Sequence, residues 1–439
     1  MRRAIAFLLV CAAFAARADD LQRANELAWA KRFAEAEALY RSLPPSPAAT
    51  LGLARVVLWQ GRYGEAIALF ARLEGADALE GQAQAQYWSG DLRGAARSFR
   101  RLLALDPNRG GARQSLDEIL ATARPSQRIT IDGAHDDQPL DFIRAEAAAT
   151  FFSDPQTRWT VSAGRYAMTA ERVARDADGH FASIAGEATW RGFTTGATLG
   201  VFTFPDGVHQ AIGGASVRRR SLTLRLERRP ELTSATSLTT HAASTTTALR
   251  WDHDGRWRGA AEVLHRSYYD GNDGRAATAW GVVPLRRNPW TLWGGASVAA
   301  RDTGESRFHV TSTSSTREQT DFRYTYRGEY DPYWTPDDLL EARAVVAVER
   351  RMSRGTLKLQ ADGGWARDRG RTFGPDVGPT PFPDGTFAFA FVRTYHPWRA
   401  GLTADLALIG DFRVEAGVER SVTVDYRSNS FYAALVRRR

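Results

Sequence analysis

Residues 340–349 have the sequence Leu340-Glu341-Ala342-Arg343-Ala344-Val345-Val346-Ala347-Val348-Glu349. Successive side chains of a β-strand point to opposite faces of the sheet. In an extended conformation, the apolar residues at the even positions therefore lie opposite Glu341, Arg343 and Glu349. A strand with one apolar face and one repeatedly charged face fits a wall between lipid and a wet lumen. This stretch predicts a strand of a transmembrane β-barrel.

The same alternation recurs from about Arg128 to the C-terminus. Residues 222–227, 357–362 and 412–419 each alternate apolar and polar side chains, and clusters of Asp, Gly, Asn and Pro separate such segments. We count about 16 such segments and predict an antiparallel barrel of about 16 strands, which agrees with the even strand number of bacterial barrels. The charged positions that we predict to line the lumen are Arg225, Glu227, Glu262, Arg343, Glu349, Lys358, Asp362, Arg413, Glu415 and Glu419.

A soluble sandwich also has alternating strands, so further features must decide between the two folds. Charges on strand after strand favour a membrane barrel. A long stretch without a predicted helix does so too, because closure of the sheet removes its exposed edges. Aromatic residues near predicted strand ends fit the interfacial girdles of a barrel. These residues are Trp159, Trp190, Trp257, Trp280, Trp290, Trp293, Trp365, Tyr395 and Trp398.

Polar segments between the strands indicate turns and loops. We predict hairpin turns at 176–179 and at Asp254-Gly255, and external loops at 301–318 and 367–385. Residues 430–436 predict the closing strand.

Residues 21 to about 124 instead have apolar residues at helical spacing and contain a repeat. The pattern Gly61-x-Tyr63-x-x-Ala66-x-x-x-Phe70 recurs as Gly90-x-Leu92-x-x-Ala95-x-x-x-Phe99, and a weaker copy is Phe33-x-x-Ala36-x-x-x-Tyr40. The glycines would relieve crowding at a helix–helix turn. The alanines would allow close approach of the helices, and the aromatic rings would fill the groove one turn later. Pro107 ends the helix of the last copy.

This pattern resembles the second-helix positions of the tetratricopeptide repeat, although the spacing of about 30 residues is shorter than the family's period of about 34. An unrelated helical bundle is the alternative. The resemblance implies that the residues of the pattern are mainly core and that the stack binds peptides or partner proteins.

The first residues have the features of a secretory signal peptide. Arg2 and Arg3 precede an apolar run from Ala4 to Ala15, and Ala16-Arg17-Ala18 supplies a cleavage site. A buried helix or a membrane anchor is the alternative, but the run is short for a span of about 20 residues. We therefore predict a signal peptide over 1–18, a repeat domain over 19–124 and an outer-membrane barrel over 125–439.

The formal net charge is +8, but acidic residues are interspersed with the arginines throughout. A nucleic-acid-binding protein usually has a concentrated basic face, so nucleic acid is not an expected partner. The only cysteine, Cys11, lies in the predicted signal peptide. We expect no cofactor and no metal, since no cluster has a known ligand spacing.

The order of signal peptide, repeats and barrel resembles the exopolysaccharide-export outer-membrane proteins, including the cellulose and poly-N-acetylglucosamine exporters, and the YaiO family of outer-membrane barrels. The element Tyr330-Asp331-Pro332-Tyr333-Trp334-Thr335-Pro336 is similar to an aromatic-Ser/Thr-Pro element of those barrels. The chain departs from the cellulose exporter in having only about three repeats, which favours the YaiO-like interpretation.

The resemblance implies a protein in the bacterial outer membrane, in contact with its lipid and with its repeats in the periplasm. It would pass or export a saccharide polymer while the repeats dock a protein partner. A general porin or an envelope structural or adaptor protein is the main alternative. An outer-membrane enzyme is a third, for which Asp252-His253-Asp254 and His135-Asp136-Asp137 are the most suggestive clusters. No serine motif follows either cluster, so we expect no catalysis.

Overall fold

The computed structural model describes residues 19–137, 140–170, 175–318, 321–372 and 389–438. They form two compact units, one mainly of residues up to Arg124 and the other mainly of residues from Pro125 onward. The predicted signal peptide, 1–18, lies outside the described residues. No helix among those described has the length and apolar character needed to cross a bilayer.

The regular elements before Arg124 are all helices, which confirms the predicted fold class of this region. Ser46 caps one helix by accepting a hydrogen bond from the backbone N–H of Ala49 at 3.2 Å, and Pro47 occupies the first helical position. The helices are α1 (19–29), α2 (Phe33–Ser42), α3 (Pro47–Trp59), α4 (Tyr63–Phe70), α5 (Ala76–Trp88), α6 (Leu92–Leu105) and α7 (Gly110–Ala121).

The repeat pattern forms the core of this unit. In each copy the small residue is fully buried, and the aromatic residue that follows it by one helical turn is at most 3% exposed. Each pair lies in its own apolar cluster, and the clusters follow one another along the stack. The pairs are Ala36 with Tyr40, Ala66 with Phe70, and Ala95 with Phe99.

The turn before each second helix requires a left-handed backbone. Gly61 and Gly90 have φ of +77° and +83°. Lys31 occupies the same place in the weaker copy and has φ of +60°. A side chain is disfavoured in this region, because its Cβ approaches the neighbouring carbonyl oxygen. The glycines therefore serve backbone geometry rather than space between helices, since a Cβ at Gly90 would meet nothing within 4 Å.

The second unit is an antiparallel sheet. Its strands are β1 (Ser126–Asp136), β2 (Leu140–Asp154), β3 (Thr157–Ala170), β4 (Arg175–Trp190), β5 (Phe193–Thr203), β6 (His209–Arg219), β7 (Leu222–Pro230), β8 (Ala243–Asp254), β9 (Arg258–Tyr268), β10 (Asp273–Arg286), β11 (Thr291–Thr303), β12 (Phe308–Glu318), β13 (Asp321–Tyr330), β14 (Asp337–Met352), β15 (Gly355–Thr372), β16 (Phe389–Tyr395), β17 (Trp398–Ala407), β18 (Phe412–Val422) and β19 (Arg427–Arg438). A short helix, α8 (Ala235–Thr239), lies between β7 and β8.

The sheet closes on itself. β1 pairs with β2 on one side and with β19 on the other, in a register from Ser126↔Arg438 to Asp136↔Ser428. β11 pairs directly with β14, so the hairpin β12–β13 stands outside the ring. β15 pairs with β16 along one half and with β17 along the other. When β12 and β13 are left out and β16 and β17 are counted as one interrupted strand, the described strands form a closed barrel of 16 strands. The alternation predicts this number.

The two ends of the barrel differ in their connections. At the end where β1 begins, which we call the short-turn end, the turns are no longer than 287–290, and several are as tight as 191–192. At the opposite end, the long-loop end, the connections include 231–242 and 304–336. Outer-membrane barrels have short periplasmic turns and longer external loops.

Three predicted turns or loops differ from the structure. Residues 176–179 lie within β4 and do not form a turn, because a strand facing water tolerates Asp and Gly. The predicted loop 301–318 contains the end of β11 and all of β12, a Thr- and Ser-rich strand without an apolar face. Residues 367–372 of the other predicted loop belong to β15, and 373–385 lie outside the described residues. The predicted turn at Asp254-Gly255 is confirmed, since it joins β8 to β9.

Candidate functional site

The strand register gives the ring two chemically different faces. Large apolar side chains are about half exposed on one of these faces, and none of the described residues covers them further. A closed barrel with such an outer surface is stable only in an apolar surrounding, which a bilayer provides. Representative outward residues are Ile129, Ile143, Leu199, Leu224, Val263, Val298, Val346, Leu359, Leu402 and Val418.

The ten charged residues of the predicted lumen all occupy the opposite set of alternating positions. Strand pairings connect these positions around the ring, as in Glu349↔Lys358 and Glu227↔Thr246. Arg258 on β9 reaches Glu349 on β14 at 3.1 Å, across two intervening strands. Such a contact is possible only over the concave surface, so this face is the inner one.

Most of these charges are paired within the wall. Arg225 lies 3.6 Å from Glu262, Arg343 lies 2.9 Å from Asp362, Arg128 lies 2.8 Å from Glu415, and Arg399 lies 3.7 Å from Glu419. Glu227 pairs with Arg229, and Arg413 with Asp405. Lys358 has no ion pair with the described residues.

Five side chains form a ladder of alternating charge along the inner wall, and the luminal ladder denotes these residues below. Arg301 on β11 contacts Glu341 at 2.7 Å, and Glu341 contacts Arg343 at 2.7 Å. Arg343 contacts Asp362 on β15 at 2.9 Å, which Arg399 on β17 also contacts at 2.9 Å. The ladder is polar but nearly neutral, because each carboxylate lies between two guanidinium groups.

The sequence analysis missed two of the ladder's three cations, Arg301 and Arg399, and also missed the neighbouring Arg258. Arg399 shares a strand face with Thr403 and Asp405, opposite Leu402, so the alternation was available as a signal. Arg301 was missed because its segment was assigned to a loop. Arg258 stands directly after a turn, where too few residues follow the alternation to fix a face.

The aromatic residues divide between the two faces, which corrects part of the predicted girdles. Trp280, Trp293 and Tyr395 occupy inward positions, because they pair with inward Ala260, Ala347 and Ala366. The outer positions near the short-turn end fit an interfacial belt. The residues at these positions are Trp159, Trp190, Trp257 and Trp290. Trp365 and Trp398 also face outward, but they lie far from the short-turn end.

Two of the inward tryptophans line a recess in the wall, which we call the luminal pocket. Its volume is about 250 Å³. The guanidinium carbon of Arg258 lies 4.3 Å from the ring centroid of Trp293. The pocket is lined by Arg258, Trp280, Val282, Trp293, Ser297, Val345, Ala347, Glu349, Lys358, Gln360, Asp362 and Arg399.

The aromatic-Thr-Pro element anchors the connection 304–336 at the long-loop end. Tyr333 is fully buried, stacks on Tyr268 at 3.9 Å and donates its hydroxyl to Asp270 at 2.7 Å. Thr335 accepts a hydrogen bond from the backbone N–H of Arg307 at 2.6 Å. Burial alone would raise the pKa of Asp270, but hydrogen bonds from Arg307 and Tyr333 outweigh it and lower that pKa.

Three carboxylates converge near the same end. Oxygens of Asp302, Asp337 and Asp338 lie within 4.8 Å of one another, and carboxylates are suitable ligands for a hard cation. Arg369 contacts Asp338 at 3.1 Å and neutralises part of this charge. We assign no ligand to the cluster on geometry alone.

The two histidine clusters lie at opposite ends of the barrel. His253 stacks on Trp257 with ring centroids 4.1 Å apart, at the short-turn end. His135 lies 2.5 Å from Asp141 at the start of the neighbouring strand, at the long-loop end. Both imidazoles are thus held by side chains of the barrel rims.

Comparison with known proteins finds a family model that matches part of the repeats and solved structures that are similar to the barrel. A model of the tetratricopeptide repeat matches residues 27–89. No curated protein matches the chain in sequence. A structure described as a bacterial polysaccharide outer membrane secretin is similar over 72% of this chain and 98% of its own, with 12% identity and a TM-score of 0.47.

Two further solved structures are similar over most of the chain. OpdK of Pseudomonas aeruginosa, solved with vanillate, is 7% identical over 72% of this chain and 98% of its own, with a TM-score of 0.34. The translocator domain of the autotransporter NalP from Neisseria meningitidis is 11% identical over 76% of this chain and 98% of its own, with a TM-score of 0.24.

The closed ring, its apolar outer surface and the repeat match together describe an outer-membrane β-barrel protein with tetratricopeptide repeats.

Proposed function

We propose that this protein is a conduit through which a saccharide polymer crosses the outer membrane, with the repeats in the periplasm docking a partner protein. The observation that carries the proposal is the luminal ladder, from Arg301 to Arg399. Its guanidinium and carboxylate groups offer hydrogen bonds to hydroxyl groups along the wall. Because the charges are paired, a polymer would slide past them without binding tightly to any one.

The connections of the barrel support the proposed orientation. The chain enters β1 at Ser126, on the short-turn end, and leaves β19 at the same end. That end is periplasmic in outer-membrane barrels. A repeat unit joined there would belong to the periplasm.

The repeat unit also exposes tryptophans at equivalent positions. Trp29, Trp59 and Trp88 each precede the turn residue of a copy by two positions and are 77%, 40% and 49% exposed. The rings of Trp29 and Trp59 lie 5.9 Å apart. Exposed tryptophans are frequent energetic centres of protein interfaces, so these residues support docking of a protein partner.

We further propose a YaiO-like relationship for the chain. The aromatic-Thr-Pro element supports this relationship. Tyr333 and Thr335 are at most 1% exposed, so the element stabilises the mouth of the barrel. The short repeat stack is the second supporting feature, since it offers a docking surface but little reach. The proposal includes no catalytic step, because passage through a lumen requires none.

The proposal is tested in a deletion strain carrying either the wild-type gene or a ladder variant, Arg343→Ala with Arg399→Ala. We expect loss of surface polysaccharide and periplasmic accumulation in the deletion strain, full rescue by the wild type, and partial rescue by the variant. Folding of the variant is checked by heat-modifiable migration in gels. Unchanged surface polymer in the deletion strain would overturn the export role.

A general porin is the second candidate, and the neutral pairing of the wall charges also favours it. The two are separated by conductance of the purified protein in planar bilayers. A general porin would pass small ions and sugars without preference, whereas a polymer conduit would be blocked by oligosaccharides that bind along its wall.

A further inference from the structure

The luminal pocket has two carboxylates that are already engaged by arginines. Each oxygen of Glu349 and of Asp362 accepts from a separate arginine, and both side chains are at most 9% exposed. These carboxylates are nearly buried and already held in charge-assisted hydrogen bonds, which limits their use as acceptors for a ligand. The donors are Arg258 (3.1 Å) and Arg351 (3.0 Å) for Glu349, and Arg343 (2.9 Å) and Arg399 (2.9 Å) for Asp362.

The same pocket also contains hydrogen-bond donors that have no acceptor among the described residues. The indole Nε1 of Trp293 is buried and has no hydrogen-bond partner among the described residues, and the side chain is 7% exposed. The ammonium group of Lys358 also forms no hydrogen bond or ion pair with the described residues. A buried donor without a partner costs free energy, so the indole of Trp293 favours a ligand that supplies an acceptor. Lys358 is partly exposed, and it contributes a positive charge to the same pocket.

The pocket also has an aromatic face that is open to the lumen. Trp280 is 42% exposed, whereas the ring of Trp293 is covered by the guanidinium group of Arg258. The C–H face of a pyranose ring is apolar and fits against an exposed indole. The volume of about 250 Å³ is below the roughly 300–1,000 Å³ of drug-sized ligand pockets, so it fits one sugar unit rather than several.

We propose that the luminal pocket is a binding subsite for one acidic sugar unit, a uronate residue of the passing polymer. Its carboxylate accepts from Lys358 and from the indole N–H of Trp293, while its ring stacks on Trp280. This inference rests on the proposed function and names the class of polymer that it carries. The subsite lets acidic chains bind more strongly than neutral chains of equal size.

The test measures current block by defined oligosaccharides in planar bilayers containing the full-length protein. The probes are oligogalacturonate and a malto-oligosaccharide of the same length. We expect oligogalacturonate to block the wild type at much lower concentration. Lys358→Met raises the half-blocking concentration about tenfold or more, because it removes a charge-assisted hydrogen bond. Trp293→Phe keeps a ring but removes the donor, and raises it several-fold.

Arg250→Met is the matched control. Arg250 faces the lumen on β8 and pairs with Asp252 at 2.7 Å, outside the pocket, so this variant also removes one luminal positive charge. We expect block by oligogalacturonate within about twofold of the wild type. Equal effects of Arg250→Met and Lys358→Met would overturn the subsite, because general luminal charge would then explain the selectivity.

Two outcomes distinguish this inference from the conduit role. Equal block by both oligosaccharides, with Lys358→Met and Trp293→Phe like the wild type, would overturn the subsite and leave the conduit standing. Unchanged surface polymer in the deletion strain would overturn the conduit, whatever the pocket binds.

Discussion

The helical unit and the barrel distribute the same residue types in opposite ways. In the helical unit, Ala66 and Phe70 are inside and the charges of Arg62 and Glu65 are exposed. In the barrel, Leu224 and Val263 face outward and the charges face inward. The first arrangement is stable in water and the second in a bilayer, so the surroundings of each unit follow from which side is apolar.

The two regions also differ in how tightly they are packed. The helical core contains several residues with no exposed area, such as Ala95 and Leu102. The barrel wall is one layer thick, and its stability depends mainly on backbone pairing around a closed ring. Truncation in the helical core should therefore cost more than most changes in the wall, and the predictions below test that difference.

The largest effect is expected for Phe99→Ala. Phe99 is 2% exposed in the cluster with Leu102 and Ile119, so truncation should cost about 3–5 kcal/mol of the unfolding free energy of the helical unit. Urea unfolding followed by circular dichroism at 222 nm measures it. Leu105→Ala, on the same helix but 65% exposed, is the control and should change stability by at most about 0.5 kcal/mol. Equal losses would show that the repeat pattern is not the core.

The second prediction places one charge on each face of the same strand pair. Val263 faces outward and pairs with Ala277, while the next position, Glu262, faces inward and pairs with Thr278. Val263→Arg should cost about 2–4 kcal/mol of barrel stability in lipid vesicles, because it desolvates a charge near mid-bilayer. Thr278→Arg should cost little, since the new guanidinium group faces water and Glu262. A reversed order of the two costs would invert the assignment of the faces.

Much of this fold was predictable from two periods in the sequence. The alternation at 340–349 predicted a barrel strand and which of its residues face the lumen. The pattern that begins at Gly61 and recurs at Gly90 predicted the helical repeats. Both succeed because each pattern records which side of an element meets apolar surroundings. The predicted number of about 16 strands follows from the spacing of the alternating segments along the chain.

The failures have a common physical cause. Alternation fixes which residues share a face, but an aromatic residue is compatible with either face, so Trp280 and Trp293 were assigned to a girdle although they point inward. Strand β12 is rich in Thr and Ser, and its sequence has no sustained alternation that would have predicted a strand. The luminal pocket combines side chains from β9, β10, β11, β14, β15 and β17, a convergence that only the register reveals.

A smaller effect is expected at Glu37, a charge that the helical unit buries. Glu37 is 8% exposed and accepts from Arg62 at 2.8 Å and from Gln60 at 2.9 Å. Burial alone would raise its pKa, but these hydrogen bonds outweigh it and lower the pKa. Glu37→Gln should therefore cost about 1 kcal/mol at neutral pH, a modest value because Arg62 is partly exposed.

The pH dependence of that cost follows from the direction of the shift. A carboxyl group with a lowered folded-state pKa stabilises the fold fully above its unfolded pKa of about 4.3, and the contribution is lost as pH falls through the folded value. The difference between wild type and Glu37→Gln, measured by urea unfolding from pH 7 to pH 3, should thus shrink in acid. Glu35→Gln, at an exposed pair with Arg32, is the control. A difference that stays constant across this range would exclude the charged hydrogen bonds as its source.

The smallest effects concern the turn residue of the repeats. Lys31 has φ of +60° where the other copies have Gly61 and Gly90, so it holds a conformation that disfavours a side chain. Lys31→Gly should stabilise the helical unit by about 0.5–1 kcal/mol, and Gly90→Ala should destabilise it by about 1 kcal/mol, both measured by thermal unfolding. A loss of stability in Lys31→Gly would mean that the lysine stem makes contacts that outweigh its backbone strain. A gain of stability in Lys31→Gly together with a loss in Gly90→Ala would show that the backbone conformation of this turn limits the stability of the first copy. The weaker match of that copy to the repeat pattern would then have a measurable cost in unfolding free energy.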